Sequence, residues 1–215
     1  MRFGTLMRPP SMAGTIDPEG PDDWRLATLA QGGDEDAYAV LVERHQHSIH
    51  AFVFRHIFDQ EVAADLTQEV FIRAWFALER VLPKAKFTTW LFQIAINLCR
   101  DHAKSKAARR DRVTDSMIRL DGEGVESARE FPDPSARPDQ QAEWSETMDA
   151  LDSEIAHLPI ELREAFLLGA VQKLPQKEVA IMLGLSPKAV EVRIYRARQR
   201  LTERLVARGH IRSGN

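Results

Sequence analysis

Apolar side chains in this chain return every three or four positions, and no stretch alternates polar with apolar residues over the length of a strand. Such a pattern admits helices and no sheet. Asp22 or Asp23 can cap a short helix carrying Trp24, Leu26, Ala27 and Leu29, which Gly32 and Gly33 interrupt. Asp34 can cap a second helix, with Tyr38, Leu41, Val42, His45, Ile49, Phe52, Val53 and Ile57 in step. A third spans about Glu61 to Glu79, with Leu66, Val70, Phe71, Ala74 and Leu78 on its stripe, and Pro83 closes that region. A fourth starts near Thr88 and carries Trp90, Leu91, Ile94, Ala95 and Leu98 on one side.

Periodicity lapses over residues 111–139, where Gly122, Gly124, Pro132, Pro134 and Pro138 sit among many acids. It returns near Gln140 with Trp144, Met148 and Leu151, then with Leu158, Leu162, Ala165 and Phe166. The chain reads as all-α: two small helical domains, residues 22–110 and 140–208, joined by an acidic flexible linker over 111–139. Residues 1–21, punctuated by Pro9, Pro10, Gly14, Pro18, Gly20 and Pro21, read as a disordered lead, and 209–215 as a tail.

Several function classes fall away. No stretch approaches the roughly 18 consecutive apolar residues of a membrane span, and the first 20 residues lack the apolar core of a secretion signal. Cys99 is the single cysteine, so neither an internal disulfide nor a cysteine-pair zinc site can form. The cytoplasm is the expected compartment. The net charge of −3 conceals segregation. Arg100 to Arg112 carries six basic residues against two acidic, net +4; Leu120 to Glu154 carries eleven acidic against two basic, net −9; Ser186 to Arg208 carries seven basic against two acidic, net +5. Two cationic blocks flanking an anionic one are interaction surfaces or solvated faces, and nucleic acid is one partner that would fit them.

The sharpest local signal lies between Gln176 and Leu201. A short helix carrying Val179, Ala180 and Leu183 meets Gly184, which can adopt the left-handed conformation that ends a helix. Ser186 then stands at an N-cap, and Pro187 at the first helical position, where its missing N–H costs nothing. A helix, a glycine turn and an arginine-rich second helix form the helix-turn-helix pattern. Unrolled at about 100° per residue, the second helix places Val190, Ile194, Ala197 and Leu201 on its core side. Lys188, Val192, Tyr195, Arg196 and Gln199 lie opposite, with Glu191 and Arg198 on one flank and Arg193 and Arg200 on the other. A face of this kind suits the major groove, with phosphates met on the flanks.

The second signal is split. In DLTQEVFIRAW (Asp65 to Trp75), Asp65, Gln68, Glu69 and Arg73 share a polar face. In the segment from Phe87 to Arg110, Phe87, Thr88, Trp90 and Phe92 cluster at a helix start, and Asn97, Arg100 and Lys104 follow. Aromatic rings beside a basic stripe suit a single strand, whose bases stack while its phosphates need cations. The alternative is a solvated amphipathic helix followed by core aromatics with an ordinary basic end.

Both segments in this order, followed by an acidic linker and a helix-turn-helix, resemble a bacterial RNA polymerase sigma factor of the extracytoplasmic-function (ECF) group. DLTQEVFIRAW is similar to that group's clamp-binding helix, and FTTWLFQIAINLCRDH to its −10 helix. LPIELREAFLL and LGLSPKAVEVRIYRARQRL are similar to the two parts of region 4. The resemblance implies that Asp65, Gln68, Glu69 and Arg73 dock on the β′ clamp helices of core polymerase. It implies that the loop from about Arg80 to Lys86 holds an extruded −10 base. Lys84, Lys86, Phe87, Thr88, Trp90, Asn97, Arg100 and Lys104 would contact the melted −10 strand. Lys188, Glu191, Val192, Arg193, Tyr195, Arg196 and Gln199 would face the duplex −35 element. The rest of the C-terminal domain would meet the β flap, the linker would thread toward the active-site cleft, and an anti-sigma factor would restrain the chain. Glu191 and Val192 depart from the basic or small polar residues usual there, which bears on the −35 sequence and not on the mode of binding.

No cofactor, metal or small-molecule substrate is implied. His45, His47, His50 and His56 lie on one helix, but only His47 and His50 share a face and no carboxylate or thiol completes a ligand set. Cys99 reads as a buried small hydrophobe. No nucleophile–base pair or phosphate loop points to an enzyme. Two other readings compete: a helix-turn-helix regulator that binds duplex DNA without polymerase, and a helical protein-interaction module with solvated basic ends.

Overall fold

Short polar side chains set the helix starts. The Asp22 carboxylate accepts from the Trp24 N–H ahead of α1 (Asp23–Gln31), and Asp34 accepts from Ala37 N–H ahead of α2 (Glu35–Ile57). Asp59 does the same with Val62 for α3 (Gln60–Ala77), which tightens into a 3-10 turn at Leu78–Arg80. Each such cap contributes about 1 kcal/mol by satisfying a donor that the helix itself cannot. The long α4 (Phe87–Thr114) completes the N-terminal domain. The C-terminal domain comprises α5 (residues 150–156), α6 (Ile160–Phe166), a π-helical turn (Leu167–Val171), α7 (Gln176–Leu183) and α8 (Pro187–Ala207).

The computed structural model of the chain describes residues 22–82, 85–114, 148 and 150–209. Every regular element among them is helical. The lead over 1–21, the linker from 115 onward, Pro83, Gln140, Trp144 and residues 210–215 lie outside the described residues. α4 continues to Thr114, four residues past the domain boundary read from composition.

The N-terminal core is built where α2, α3 and α4 bring their stripes together. Phe52, Leu41, Ile49, Val70, Leu91 and Ile96 are fully buried, and Phe52 meets Phe92 edge-on at 5.3 Å. Trp24 anchors α1: its indole N–H donates to the Ala85 carbonyl at 2.7 Å and its ring meets Phe87 at 5.4 Å. Tyr38 on α2 donates to the Phe71 carbonyl on α3.

In the C-terminal domain, Ile155, Leu158, Leu162 and Leu168 pack with Val179, Val190, Ile194, Ala197 and Leu201. α8 passes so near the π turn that a Cβ at Gly169 would lie 2.5 Å from Ile194 Cδ1, so a larger residue there would push the end of the Ile194 side chain aside. One acid crosses from the expected stretch of free charge into this core. Glu154 is fully buried; Arg204 donates to one of its oxygens, and Arg208 Nε lies 2.9 Å from the other. Asp152 is likewise buried and paired, with Arg55 of α2 at 2.7 Å. The last two acids of the −9 stretch are therefore structural charges of the folded domain.

Candidate nucleic-acid interface

Gly184 takes a left-handed φ of 67° and closes α7, and Ser186 Oγ accepts from Ala189 N–H to open α8. With the turn set in this way, the apolar stripe decides the roll of α8. Val190, Ile194, Ala197 and Leu201 are buried as their spacing implies. Lys188, Glu191, Tyr195, Arg196 and Gln199 consequently stand exposed, while Val192 and Arg193 are half-buried. Two local contacts order this face: Gln199 donates to the Tyr195 hydroxyl at 2.8 Å, and Lys188 Nζ lies 2.9 Å from Glu191. Glu191 thus faces Lys188 one turn back and offsets one positive charge on the rim of the face.

The −10 candidates do not all gather on one surface. Trp90, Asn97 and Lys104 fall at seven-residue steps along α4; Trp90 is half-buried and the other two are exposed. Phe87 is only 3% exposed and sits between Trp24 and Trp90, so it fills the core and offers no free face for a base. Lys86 is exposed, Thr88 is half-buried, and both border a shallow recess with Trp24 and Ala85. Lys84 lies outside the described residues. Arg100 turns away from the Trp90–Lys104 line. Its guanidinium forks onto Glu164 of α6, with Nε at 2.9 Å and Nη2 at 2.6 Å from the two oxygens.

Burial alone would raise the Glu164 carboxyl, but hydrogen bonds from His56 and Arg100 outweigh it and hold the group down to about 2. A carboxyl depressed from 4.5 in this way contributes stability that is complete above pH 4.5 and lost as the pH falls toward 2. The denaturant midpoint is therefore expected to fall between pH 5 and pH 3 by more in wild type than in Glu164→Gln. An equal fall in both would remove Glu164 from the account.

On α3, Asp65 and Gln68 are exposed, and Arg73 Nε donates to Glu69 at 2.7 Å, an exposed pair one turn apart. The sequence reading overlooked two neighbours on this face, Ile72 at 50% and Phe76 at 75% exposure. Asp65, Glu69, Ile72 and Phe76 follow one another at helical spacing, so the polar face carries an apolar end. The available signal was their placement: both fall between the polar residues and off the core stripe. Adjacent exposed apolar side chains of this size mark a contact surface.

Two of the helix α2 histidines pair with carboxylates. His45 Nε2 lies 2.9 Å from Asp23, whose carboxyl that hydrogen bond lowers, and His56 lies 3.3 Å from Glu164. Cys99 is fully buried, and burial together with the nearby Glu164 charge pushes its thiol up to about 12. It is therefore inert as a nucleophile at neutral pH. Among the described residues no helix is long and apolar enough to cross a membrane.

A family model described as Sigma-70 region 2 matches residues 41–109, and one described as Sigma-70, region 4 matches residues 148–201. The RNA polymerase sigma-H factor of Pseudomonas aeruginosa is 32% identical over 184 residues, covering 85% of this chain and 93% of its own length. The ECF RNA polymerase sigma-E factor of Escherichia coli K12 is 28% identical over 183 residues, covering 85% and 94%. Among solved structures, CnrH in complex with the cytosolic domain of CnrY aligns with a TM-score of 0.57 at 30% identity, over 86% of this chain and 97% of that one.

Proposed function

The chain belongs to the ECF group of bacterial RNA polymerase sigma factors, and from that premise we propose how its surfaces divide the work of initiation. It binds core polymerase, directs it to promoters and promotes melting. The cationic, exposed face of α8, set by a buried apolar stripe on its other side, carries the reading. Lys188, Tyr195, Arg196 and Gln199 face the −35 base edges, with Glu191, Val192 and Arg193 at the margin. Trp90, Asn97 and Lys104, with Lys86 and Thr88 about the start of α4, line the path of the melted −10 strand, and Lys84 contacts the same strand. Phe87 acts from beneath by supporting Trp90. Asp65, Gln68, Glu69 and Arg73 dock on the β′ clamp helices, with Ile72 and Phe76 adding apolar contact. The C-terminal domain meets the β flap. The chain works in the cytoplasm, where polymerase is, and has no chemistry of its own. An anti-sigma factor holds it in reserve; the complex of CnrH with a cytosolic domain of CnrY supports such a partner.

Mixing the chain with core polymerase and a promoter library tests this reading. A stoichiometric complex that starts transcripts which core alone does not make is the expected result. Tight, symmetric binding of the free chain to duplex DNA, with no effect on polymerase, would instead identify a conventional regulator. Asp65→Ala with Gln68→Ala is expected to weaken assembly by about 1–3 kcal/mol for each anchor lost, with helicity unchanged. Normal assembly would remove α3 from the interface.

Glu191→Ala separates two roles on α8. As a partner of Lys188 it only offsets charge, so its loss is expected to tighten binding to all sequences and steepen the salt dependence. A Glu191 that accepts from cytosine N4 or adenine N6 would, when removed, relax preference at a single −35 position. Selection from a randomised −35 library at two salt concentrations distinguishes them.

A further inference from the structure

α1 ties down both ends of the connection between the 3-10 turn and α4. The Trp24 indole N–H donates to the Ala85 carbonyl at 2.7 Å, and Gln31 Nε2 donates to the Leu78 carbonyl at 2.6 Å. Trp24 and Gln31 stand seven residues apart, close to two full turns, so both side chains leave the same side of α1. Their Cα atoms are therefore about 10 Å apart on one helix, whereas the seven residues from Leu78 to Ala85 could reach about 24 Å. α1 is in turn fixed to α2. Leu26, Ala27 and Ala30 are buried, and Asp23 takes His45 Nε2 at 2.9 Å and Arg44 Nη1 at 3.1 Å. The α4 ladder begins at the Lys86 carbonyl, which accepts from Trp90 N–H at 3.2 Å. Ala85 stands one residue outside that ladder, and its carbonyl takes its donor from α1. The Trp24 ring meets Phe87 at 5.4 Å and Trp90 at 6.0 Å, and it walls the recess that Lys86 and Thr88 border.

We propose that Trp24 and Gln31 are positioning residues for −10 recognition: from α1 they fix the two ends of the connection that enters α4, and so set its choice of base. The inference rests on the −10 reading above, in which the segment from about Arg80 to Lys86 holds an extruded base. Discrimination among four bases needs donors and acceptors held within a fraction of an ångström. A segment anchored before DNA arrives does not spend binding energy on its own ordering, and it cannot re-form around the wrong base. Two side-chain donors on a helix that is itself pinned by Asp23 supply that anchoring. Neither Trp24 nor Gln31 needs to touch DNA for this.

The full chain tests the brace and its consequence separately. Trp24→Phe keeps a ring against Phe87 and removes the N–H; Gln31→Met removes the other donor at an exposed position. Amide exchange of the free chain reads the brace. Exchange within the segment 79–86 is expected to quicken by about threefold or more in each variant, with α2 and α3 unchanged. Exchange equal to the parent in both variants would overturn the brace. Transcription by each variant with core polymerase, from a promoter library randomised over the −10 element, reads the consequence. Preference at one −10 position is expected to fall by about three- to tenfold, the effect of one lost hydrogen bond. Preference at the other −10 positions and dependence on the −35 element are expected to stay at the parent's level. Parent-like preference at every position in both variants would overturn the positioning role. An equal loss at all −10 positions would overturn it too, because that marks a weakened fold and not a misplaced segment. Should the parent itself show no preference at any −10 position, the proposed function fails and takes the base choice with it, while amide exchange still decides the brace.

Discussion

Arg196→Ala is expected to abolish most −35-dependent transcription while leaving the C-terminal domain folded. Arg196 is exposed on α8, on the side turned away from the line of Val190, Ile194, Ala197 and Leu201 that roots the helix in its core. Truncating it removes no packing. It removes five donors from the centre of the face that the helix-turn-helix presents to the groove. A lost side-chain contact to a base edge costs about 1–3 kcal/mol, roughly a 5- to 150-fold fall in occupancy of the cognate element. Run-off transcription from templates with and without a −35 element reads this directly, and thermal melting confirms the fold. If −35-dependent transcription is unchanged, the roll assigned to α8 is wrong, and the neighbouring assignments of Lys188, Tyr195 and Gln199 fail with it.

A loss of stability of comparable size is expected from Arg204→Ala combined with Arg208→Ala. These two arginines at the end of α8 reach back to Glu154 on α5, which has no exposed surface. Removing both leaves a carboxylate in the core without a counter-ion, which costs about 3–5 kcal/mol. That is a large part of the stability of a domain this size. Adding Glu154→Gln to the double variant is expected to restore part of the loss, because an amide in the same volume carries no charge to desolvate. Denaturant melts of the three proteins decide the matter. A double variant as stable as the parent would show that water reaches Glu154 when the arginines are gone.

The helices were legible because their causes are local. Asp22, Asp34 and Ser186 cap helices through hydrogen bonds to residues two or three positions ahead, and the buried stripe of α8 is the one its spacing implies. Asp59 escaped notice because the residue after it begins a polar first turn, so no apolar rhythm announced the start of α3. The apolar end of the α3 docking face was harder to see. Ile72 and Phe76 look like core residues in a helix already rich in them, and only the positions of α2 and α4 show which side is left uncovered.

Charge misled most. Glu154 and Asp152 counted as two more acids of an anionic stretch, and Arg100 as one more cation of a basic block. Sequence alone determined that the fold is all-α with two domains, and that its last long helix has a cationic face and an apolar back. Tertiary structure alone decided which charges face solvent. Net charge is additive along a chain, but the environment of each charge depends on what long-range packing places against it. Arg100 and Glu164 are 64 residues apart, and the pair exists only because helices of two domains meet.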